Sequence, residues 1–138
     1  MEENAAKNKL LLVDDDTSNL LELISILKPE YRIFTAKNGM SAIHIAEEFL
    51  PDVILLDIIM PDMSGYEVLA ELQKSDKTKG IPVIFVTGAD TSDEEQKGFS
   101  LGAADYIIKP YRSIIVKKRV FNQIQIINLQ RELEAARG

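Results

Sequence analysis

Four short apolar runs constrain the fold of this chain more than any other feature. They are Leu10–Val13, Val53–Leu56, Val83–Val86 and Tyr106–Ile108, all rich in aliphatic side chains and free of polar alternation. Such a run is typical of a strand buried on both faces of a parallel sheet. Amphipathic segments of about ten residues lie between the runs, so strands and helices alternate along the chain. This order predicts an α/β domain whose parallel sheet has helices on both faces.

Each run ends close to a polar residue. Asp14 and Asp15 follow the first run, Asp57 the second, Thr87 the third and Lys109 the fourth. Ligands of parallel sheets bind at the carboxyl ends of the strands, so these side chains should converge on one pocket. It would hold three carboxylates, a hydroxyl and an ammonium group. That combination suggests a site for phosphate and a divalent metal.

The clustered carboxylates determine the expected chemistry. They repel one another and raise one another's pKa unless a cation intervenes. Mg²⁺ suits them, because it is commonly held by one or two carboxylates, with water and phosphate completing its shell. A carboxylate can also be the nucleophile in phosphoryl transfer and form an aspartyl phosphate. The transition state then requires cationic and hydrogen-bonding partners, which Lys109 and Thr87 can supply.

The composition predicts a single soluble domain and excludes several other classes. The chain has 138 residues, 46% of them hydrophobic, and no apolar run of the roughly 20 residues that a membrane span needs. The polar N-terminus lacks the apolar stretch of a secretory signal, so a cytoplasmic location is expected. The chain has no cysteine and one histidine, His44, which excludes disulfides and a histidine-rich metal site. The net charge of −6 disfavours direct nucleic-acid binding, and no glycine-rich nucleotide loop is present.

The sequence predicts five strands and five helices in alternation. The predicted strands are Lys9–Asp14, Tyr31–Thr35, Asp52–Asp57, Ile81–Thr87 and Ala104–Ile108. The predicted helices are Thr17–Leu27, Ser41–Phe49, Tyr66–Gln73, a helix opened by the capping box Ser92–Glu95 and stopped near Gly102, and one long last helix. Asn38 and Gly39 predict a turn, and Asp16 is expected to be an acid of the first helical turn. The second strand carries no charged group at its end and is expected at an edge of the sheet.

Several of these residues fall into motifs that resemble one known family. The motifs are Leu12-Val13-Asp14-Asp15, Leu56-Asp57 with Met60-Pro61 and Gly65, Val86-Thr87-Gly88, and Ala104-Asp105-Tyr106 with Lys109-Pro110. In this order and at these intervals they resemble the response regulator receiver domain of two-component signalling, over about residues 9–122. The resemblance implies a flavodoxin-like, doubly wound three-layer sandwich, with a five-stranded parallel sheet in the order 2-1-3-4-5 and an extended last helix.

The resemblance also implies roles at the phosphorylation site. Asp57 would accept a phosphoryl group from the phosphohistidine of a sensor histidine kinase or phosphotransfer protein. Asp15 would bind Mg²⁺, or Mn²⁺ in its place, directly, while Asp14 would act through water. The metal would also contact Asp57 and the backbone carbonyl of Ile59.

Three further residues are implied in a switch. Thr87 would bind the phosphoryl group and move toward it, and Lys109 would pair with it. Tyr106 would swing inward to fill the vacated space, although plain packing in the core is the alternative for this aromatic side chain. The surface that changes would be the fourth helix, fifth strand and last helix. The domain would thus signal rather than turn over a substrate, apart from slow loss of its own phosphoryl group.

Two alternatives remain open at this stage. A phosphatase of the haloacid dehalogenase type also uses an aspartate nucleophile, but its first motif would fall on Asp14, Asp16 and Ser18, and the serine departs from the pattern. A receiver-shaped docking module that takes no phosphate is the other, and the presence of all five polar site residues argues against it.

The sequence divides into three predicted segments. Residues 1–8 form a flexible N-terminus, 9–122 the receiver domain and 123–138 an extension of the last helix that could lead into an output domain. A homodimer could form through the fourth helix, fifth strand and last helix or through a seam on the extension, whose apolar residues could instead cover the domain itself. The apolar residues of that seam are Ile126, Ile127, Leu129 and Leu133.

Overall fold

The computed structural model describes residues 7–88 and 97–137 as alternating strands and helices. The strands are β1 (Lys9–Val13), β2 (Arg32–Ala36), β3 (Val53–Asp57), β4 (Val83–Thr87) and β5 (Asp105–Ile108). The helices are α1 (Thr17–Leu27), α2 (Gly39–Phe49), α3 (Gly65–Gln73), α4, described over residues 97–100, and α5 (Ser113–Arg137). The elements predicted from the sequence are therefore found, and their described ends differ from the prediction by at most two residues.

The strands form one parallel sheet in the order β2-β1-β3-β4-β5. In its centre, Leu12 lies beside Leu55 of β3 and Thr35 of β2. The expected order is confirmed, and β2 occupies an edge as predicted. This order places the ends of β1, β3, β4 and β5 side by side at one end of the sheet.

Alternate residues of the strands point into two apolar cores, one on each face of the sheet. One core contains Leu11, Ile54 and Phe85, together with residues of α2 and α3. The other contains Leu10 and Leu55, together with residues of α1 and α5. Burial on both faces explains why these strands are apolar without alternation.

Two local predictions are corrected by the residues at which α1 and α2 begin. Asp16 is the N-cap of α1, rather than a residue of its first turn, and its carboxylate accepts from the backbone N–H groups of Ser18 and Asn19. Asn38 is the N-cap of α2, where the sequence predicted a turn, because its side-chain oxygen accepts from Ser41 N–H. The stop near Gly102 agrees with its φ of 106°. The predicted capping box at residues 92–95 lies outside the described residues.

The last helix is a single continuous element, as predicted. Val116, Val120 and Ile124 bury it against the sheet. Arg131 Nη2 lies 2.6 Å from Asp52 Oδ1, at the start of β3, so the helix still contacts the domain six residues before Arg137. None of the described helices is long and apolar enough to cross a membrane.

Candidate phosphorylation site

Three carboxylates meet at the carboxyl ends of the two central strands. Asp14 and Asp15 follow β1 directly, and Asp57 is the last residue of β3. One oxygen from each of the three lies within 4.8 Å of the other two. Asp14 and Asp57 are buried, whereas Asp15 is exposed. The pocket is thus open on the side of Asp15 and closed below by the ends of the strands.

Asp14 is fixed from several directions, yet one of its oxygens has no hydrogen bond. Its backbone N–H donates to Ala36 O at 3.1 Å, and its Oδ1 accepts from Asp16 N–H at 2.9 Å. Oδ2 is buried and accepts no directed hydrogen bond, although it lies 3.2 Å from Lys109 Nζ in an ion pair. A buried oxygen in this condition is suited to a cation or a metal-bound water.

Lys109 joins the two buried carboxylates. Its Nζ lies 3.4 Å from Asp57 Oδ2 and 3.2 Å from Asp14 Oδ2. Burial lowers the pKa of Lys109, but the opposing attraction of Asp57 and Asp14 is stronger, so the pKa is raised overall. The side chain is therefore a cation throughout the neutral pH range. Its backbone N–H donates to Thr87 O at 2.8 Å, which aligns the ends of β4 and β5.

The surroundings of Asp57 raise the pKa of its carboxyl group. Burial raises its pKa from 3.8 to about 6, and the negative charge of Asp14 adds to this, while Lys109 opposes it. One ammonium group thus does not fully compensate the carboxylates. A divalent cation between them would remove the remaining repulsion, and an all-oxygen set matches the preference of Mg²⁺. The residues present therefore fit the metal that the sequence predicts.

The loop after β3 runs close over the site. Ile58 N–H donates to Val86 O, and Gly65 N–H donates to Ile58 O at 2.7 Å. A Cβ added at Gly65 would lie 2.6 Å from the backbone oxygen of Asp57, so this close approach requires glycine. Ile59 belongs to this loop, and its side chain is exposed.

The two predicted switch residues, Thr87 and Tyr106, lie in different parts of the structure. Thr87 ends β4 beside the pocket and is buried. Tyr106 lies in β5, is only 2% exposed and packs its ring against Phe85 and Phe99. The fold therefore brings the carboxylates, Lys109 and Thr87 together at the carboxyl ends of the strands. The ring of Tyr106 lies apart from them, in the core beneath α4.

Two residues near the site were not predicted. The hydroxyl of Tyr111 is buried without a hydrogen-bond partner, and burial, followed by the charges of Asp14 and Asp57, raises its pKa. Asp62 accepts from Gly39 N–H at 3.0 Å and Met40 N–H at 3.2 Å, which fastens the loop after β3 to the start of α2. Tyr111 follows the Lys109-Pro110 motif directly, which could have drawn attention to it. No sequence signal connects Asp62 with α2.

The fold and the pocket together define a class of protein: a doubly wound α/β domain with an acidic, lysine-bearing pocket at its switch point. The profile of the response regulator receiver domain matches residues 10–121. The chain therefore belongs to the response regulator receiver domain family.

Individual relatives agree with this assignment. The "Probable cyclic di-GMP phosphodiesterase" of Vibrio cholerae is 41% identical over 123 residues, covering 89% of this chain and 28% of that protein. The chain thus spans about a quarter of that relative's length. The structure of Vibrio cholerae chemotaxis protein CheY4 is similar with a TM-score of 0.81 at 28% identity, covering 85% of this chain and 98% of that one.

A third relative shows metal binding in a similar domain. The receiver domain of a sensor histidine kinase from Pseudomonas aeruginosa has a TM-score of 0.80 at 25% identity, and 87% of this chain and 99% of that one are covered. That structure holds a magnesium ion in its active-site cleft. Receiver domains are signalling domains rather than enzymes, and Mg²⁺ binding is general in the family. The family match overturns the phosphatase alternative, and Asp16, which it required, caps α1 instead.

Proposed function

We propose that this chain is a Mg²⁺-dependent phosphoacceptor and that Asp57 receives the phosphoryl group. The observation that carries the proposal is the cluster of three carboxylates within 4.8 Å, two of which, Asp14 and Asp57, form ion pairs with Lys109. Among the three, Asp14 uses Oδ1 to hold the backbone at Asp16. Asp15 is exposed and lies at the side of the pocket. Asp57 combines burial with a direct contact to Lys109, which suits a nucleophile whose product needs a cationic partner.

The metal ligands in this proposal are Asp14, Asp15, Asp57 and the backbone carbonyl of Ile59. Asp15 would bind Mg²⁺ directly and Asp14 through water, and Mn²⁺ would be able to replace Mg²⁺. When bound, the metal neutralises the carboxylates and the incoming phosphoryl oxygens. Two observations support this set: Oδ2 of Asp14 has no hydrogen bond although it pairs with Lys109, and the pKa of Asp57 is raised.

The phosphoryl group comes from a phosphohistidine of a sensor histidine kinase or phosphotransfer protein. A carboxylate oxygen of Asp57 attacks phosphorus, so an O–P bond forms while the P–N bond to the imidazole breaks. The imidazole leaves with the bonding electron pair and takes up a proton. Lys109 pairs with the transferred group and the Thr87 hydroxyl donates to it, because charge accumulates on its equatorial oxygens. Water later releases inorganic phosphate slowly, without multiple turnover.

Phosphorylation changes the surface formed by α4, β5 and α5. Thr87 moves toward the phosphoryl group. Tyr106 is the switch residue that responds to this movement of Thr87. The contacts of β5 support this route: Arg119 Nη1 of α5 lies 3.0 Å from Asp105 Oδ1 and donates to Tyr106 O at 2.5 Å. A shift of β5 would therefore be passed directly to α5.

The domain acts within a larger signalling system. We assign residues 9–122 to the receiver and 123–138 to a helical extension toward an output domain, as the longer relatives suggest. Exposed apolar residues on the extension support pairing with a second copy as one route to a dimer, and the α4, β5 and α5 surface is the other. They are Ile126, Leu129 and Leu133. A kinase donor implies action in the cytoplasm.

The test is phosphorylation of the purified chain by acetyl phosphate, followed by intact mass. We expect one added phosphoryl group that requires Mg²⁺ and is absent from Asp57→Asn. The matched control is Asp76→Asn, because that carboxylate is 94% exposed and pairs only at the surface with Lys79. An adduct on Asp57→Asn would refute the assignment of Asp57. No adduct on the unchanged chain with any donor, kinase included, would favour a phosphorylation-independent docking module.

A further inference from the structure

Four aromatic rings form a connected cluster between the sheet and α4. We call Tyr66, Phe85, Phe99 and Tyr106 the aromatic cluster. The ring centroids of Tyr66 and Phe85 are 5.3 Å apart, and those of Phe85 and Tyr106 are 5.8 Å apart. Phe99 meets Tyr106 edge to face at 5.0 Å. Such aromatic pairs are favourable beyond the area that they bury, so Tyr106 rests in a well-defined site.

Gly98 supplies the space in which the hydroxyl end of Tyr106 lies. A Cβ added at Gly98 would lie 1.6 Å from Tyr106 Oη, 2.6 Å from Cζ and 2.9 Å from Cδ2 of Phe85. No real side-chain carbon can approach that closely. A chain with any other residue at position 98 could not keep Tyr106 in its present orientation without moving α4 or the ring.

The backbone does not explain this glycine. Gly102, in the same part of the chain, has a φ of 106°, a value that favours glycine for conformational reasons. Gly98 has no positive φ, and residues 97–100 are helical, where alanine is preferred over glycine. The close approach of Tyr106 is thus the feature that requires glycine at this position.

We propose that Gly98 is the positioning residue that sets the resting orientation of Tyr106. With glycine there, the inward orientation is accessible without a phosphoryl group on Asp57. With a side chain there, the ring rotates outward, toward the surface formed by α4, β5 and α5. The effect of Gly98 on signalling rests on the proposed function, whereas its effect on the orientation of Tyr106 does not.

The first experiment compares Gly98→Ala with the unchanged chain by nitration of tyrosines and peptide mass mapping. We expect nitration of Tyr106 to accelerate at least about tenfold, because a buried ring reacts only when the structure opens. Tyr31 is an internal reference whose rate should not change. Gly80→Ala is the matched control, since nothing lies within 4 Å of a Cβ at that position. Equal protection of Tyr106 in a folded Gly98→Ala protein would overturn the proposal.

A second experiment covers the case in which Gly98→Ala folds poorly. Gly98→Ala is also made in a Tyr106→Leu background, which removes the ring. We expect the substitution to lower the urea midpoint less in the leucine background than in the original one, because the contacts with the Tyr106 ring are gone and only the contact with Phe85 at 2.9 Å remains. Equal shifts of the midpoint in both backgrounds would contradict a role through Tyr106.

The same samples are treated with acetyl phosphate and Mg²⁺ so that the two proposals can fail separately. If the unchanged chain gains no phosphoryl group, the proposed function fails, while the nitration result still decides the role of Gly98. If the unchanged chain is phosphorylated and Tyr106 stays protected in a folded Gly98→Ala protein, only the inference about Gly98 fails.

Discussion

Replacing Asp57 by asparagine should stabilise the metal-free protein at neutral and alkaline pH. The carboxylate is buried beside Asp14, and burial first, then Asp14, raises its pKa to about 6. An ionised Asp57 therefore costs folding free energy that a neutral amide of nearly the same shape does not. Lys109 keeps one carboxylate partner, because it also lies 3.2 Å from Asp14 Oδ2.

The size of the effect follows from the pKa shift. The change from 3.8 to about 6 is about two units, and at about 1.4 kcal/mol per unit this sets a ceiling of about 3 kcal/mol. The shift already includes the attraction of Lys109, and solvent at the open side of the pocket reduces the cost of the buried charge. We therefore expect the free energy of unfolding to rise by about 1–2 kcal/mol.

The pH dependence has a definite sign. A carboxyl with a raised pKa holds its proton longer in the folded state, so the unchanged protein loses stability as the pH rises from about 4 to about 6. Asparagine does not titrate. The advantage of Asp57→Asn should thus be complete above about pH 6 and vanish near about pH 4.

Urea unfolding in the presence of a chelator measures this difference. Asp76→Asn should change stability by less than about 0.5 kcal/mol at any pH, because its carboxylate is exposed. Added Mg²⁺ should reduce the difference in the free energy of unfolding between Asp57→Asn and the unchanged protein, because it binds the folded unchanged protein. The reasoning would be refuted if Asp57→Asn lowered the free energy of unfolding at about pH 8 or if its effect did not depend on pH.

Three other predictions concern the phosphoryl contact, the core and the last helix. Lys109→Ala should still gain some Mg²⁺-dependent adduct by intact mass, but hydrogen exchange of β5 and α5 should no longer respond to it; an unchanged response would contradict the role of the lysine. Phe85→Ala should cost about 3–5 kcal/mol in urea unfolding, because this ring is fully buried at the centre of the aromatic cluster; a loss below about 1 kcal/mol would contradict that packing. Arg131→Ala should speed amide exchange at the end of α5 and change global stability by less than about 1 kcal/mol, because Arg131 is half exposed. Asp52→Ala should cost more, since Asp52 also accepts from Lys9 N–H at 2.7 Å; equal costs would contradict this distinction.

The sheet could be predicted from the sequence because its cause is local. The strands β1, β3 and β4 are short apolar runs buried on both faces, and the residues that follow the apolar runs must meet at the same end of the sheet. The positions of Asp14, Asp57 and Lys109 follow from that rule alone. The order of the strands came from the family resemblance, because apolar runs do not say which neighbour each strand takes.

Other features depend on contacts between distant segments and left no local signal. Asp62 holds the start of α2 across 23 positions of sequence, and Arg131 reaches back to Asp52 at the start of β3. Gly98 is an ordinary glycine in the sequence, and only the folded chain shows Tyr106 against it. The sequence predicts Asp16 in a first helical turn and Asn38 in a turn, whereas both are N-caps. The N-cap lies only one residue before the helix, and the sequence does not define helix ends that closely.

The most direct test of the central claim locates the phosphoryl group on the chain. The protein is phosphorylated with acetyl phosphate and Mg²⁺ and then reduced with borohydride, which converts an aspartyl phosphate to homoserine, before peptide mass mapping. The account predicts homoserine at position 57 and unchanged aspartate at Asp14 and Asp15. Homoserine at position 14 or 15, with Asp57 unmodified, would contradict it.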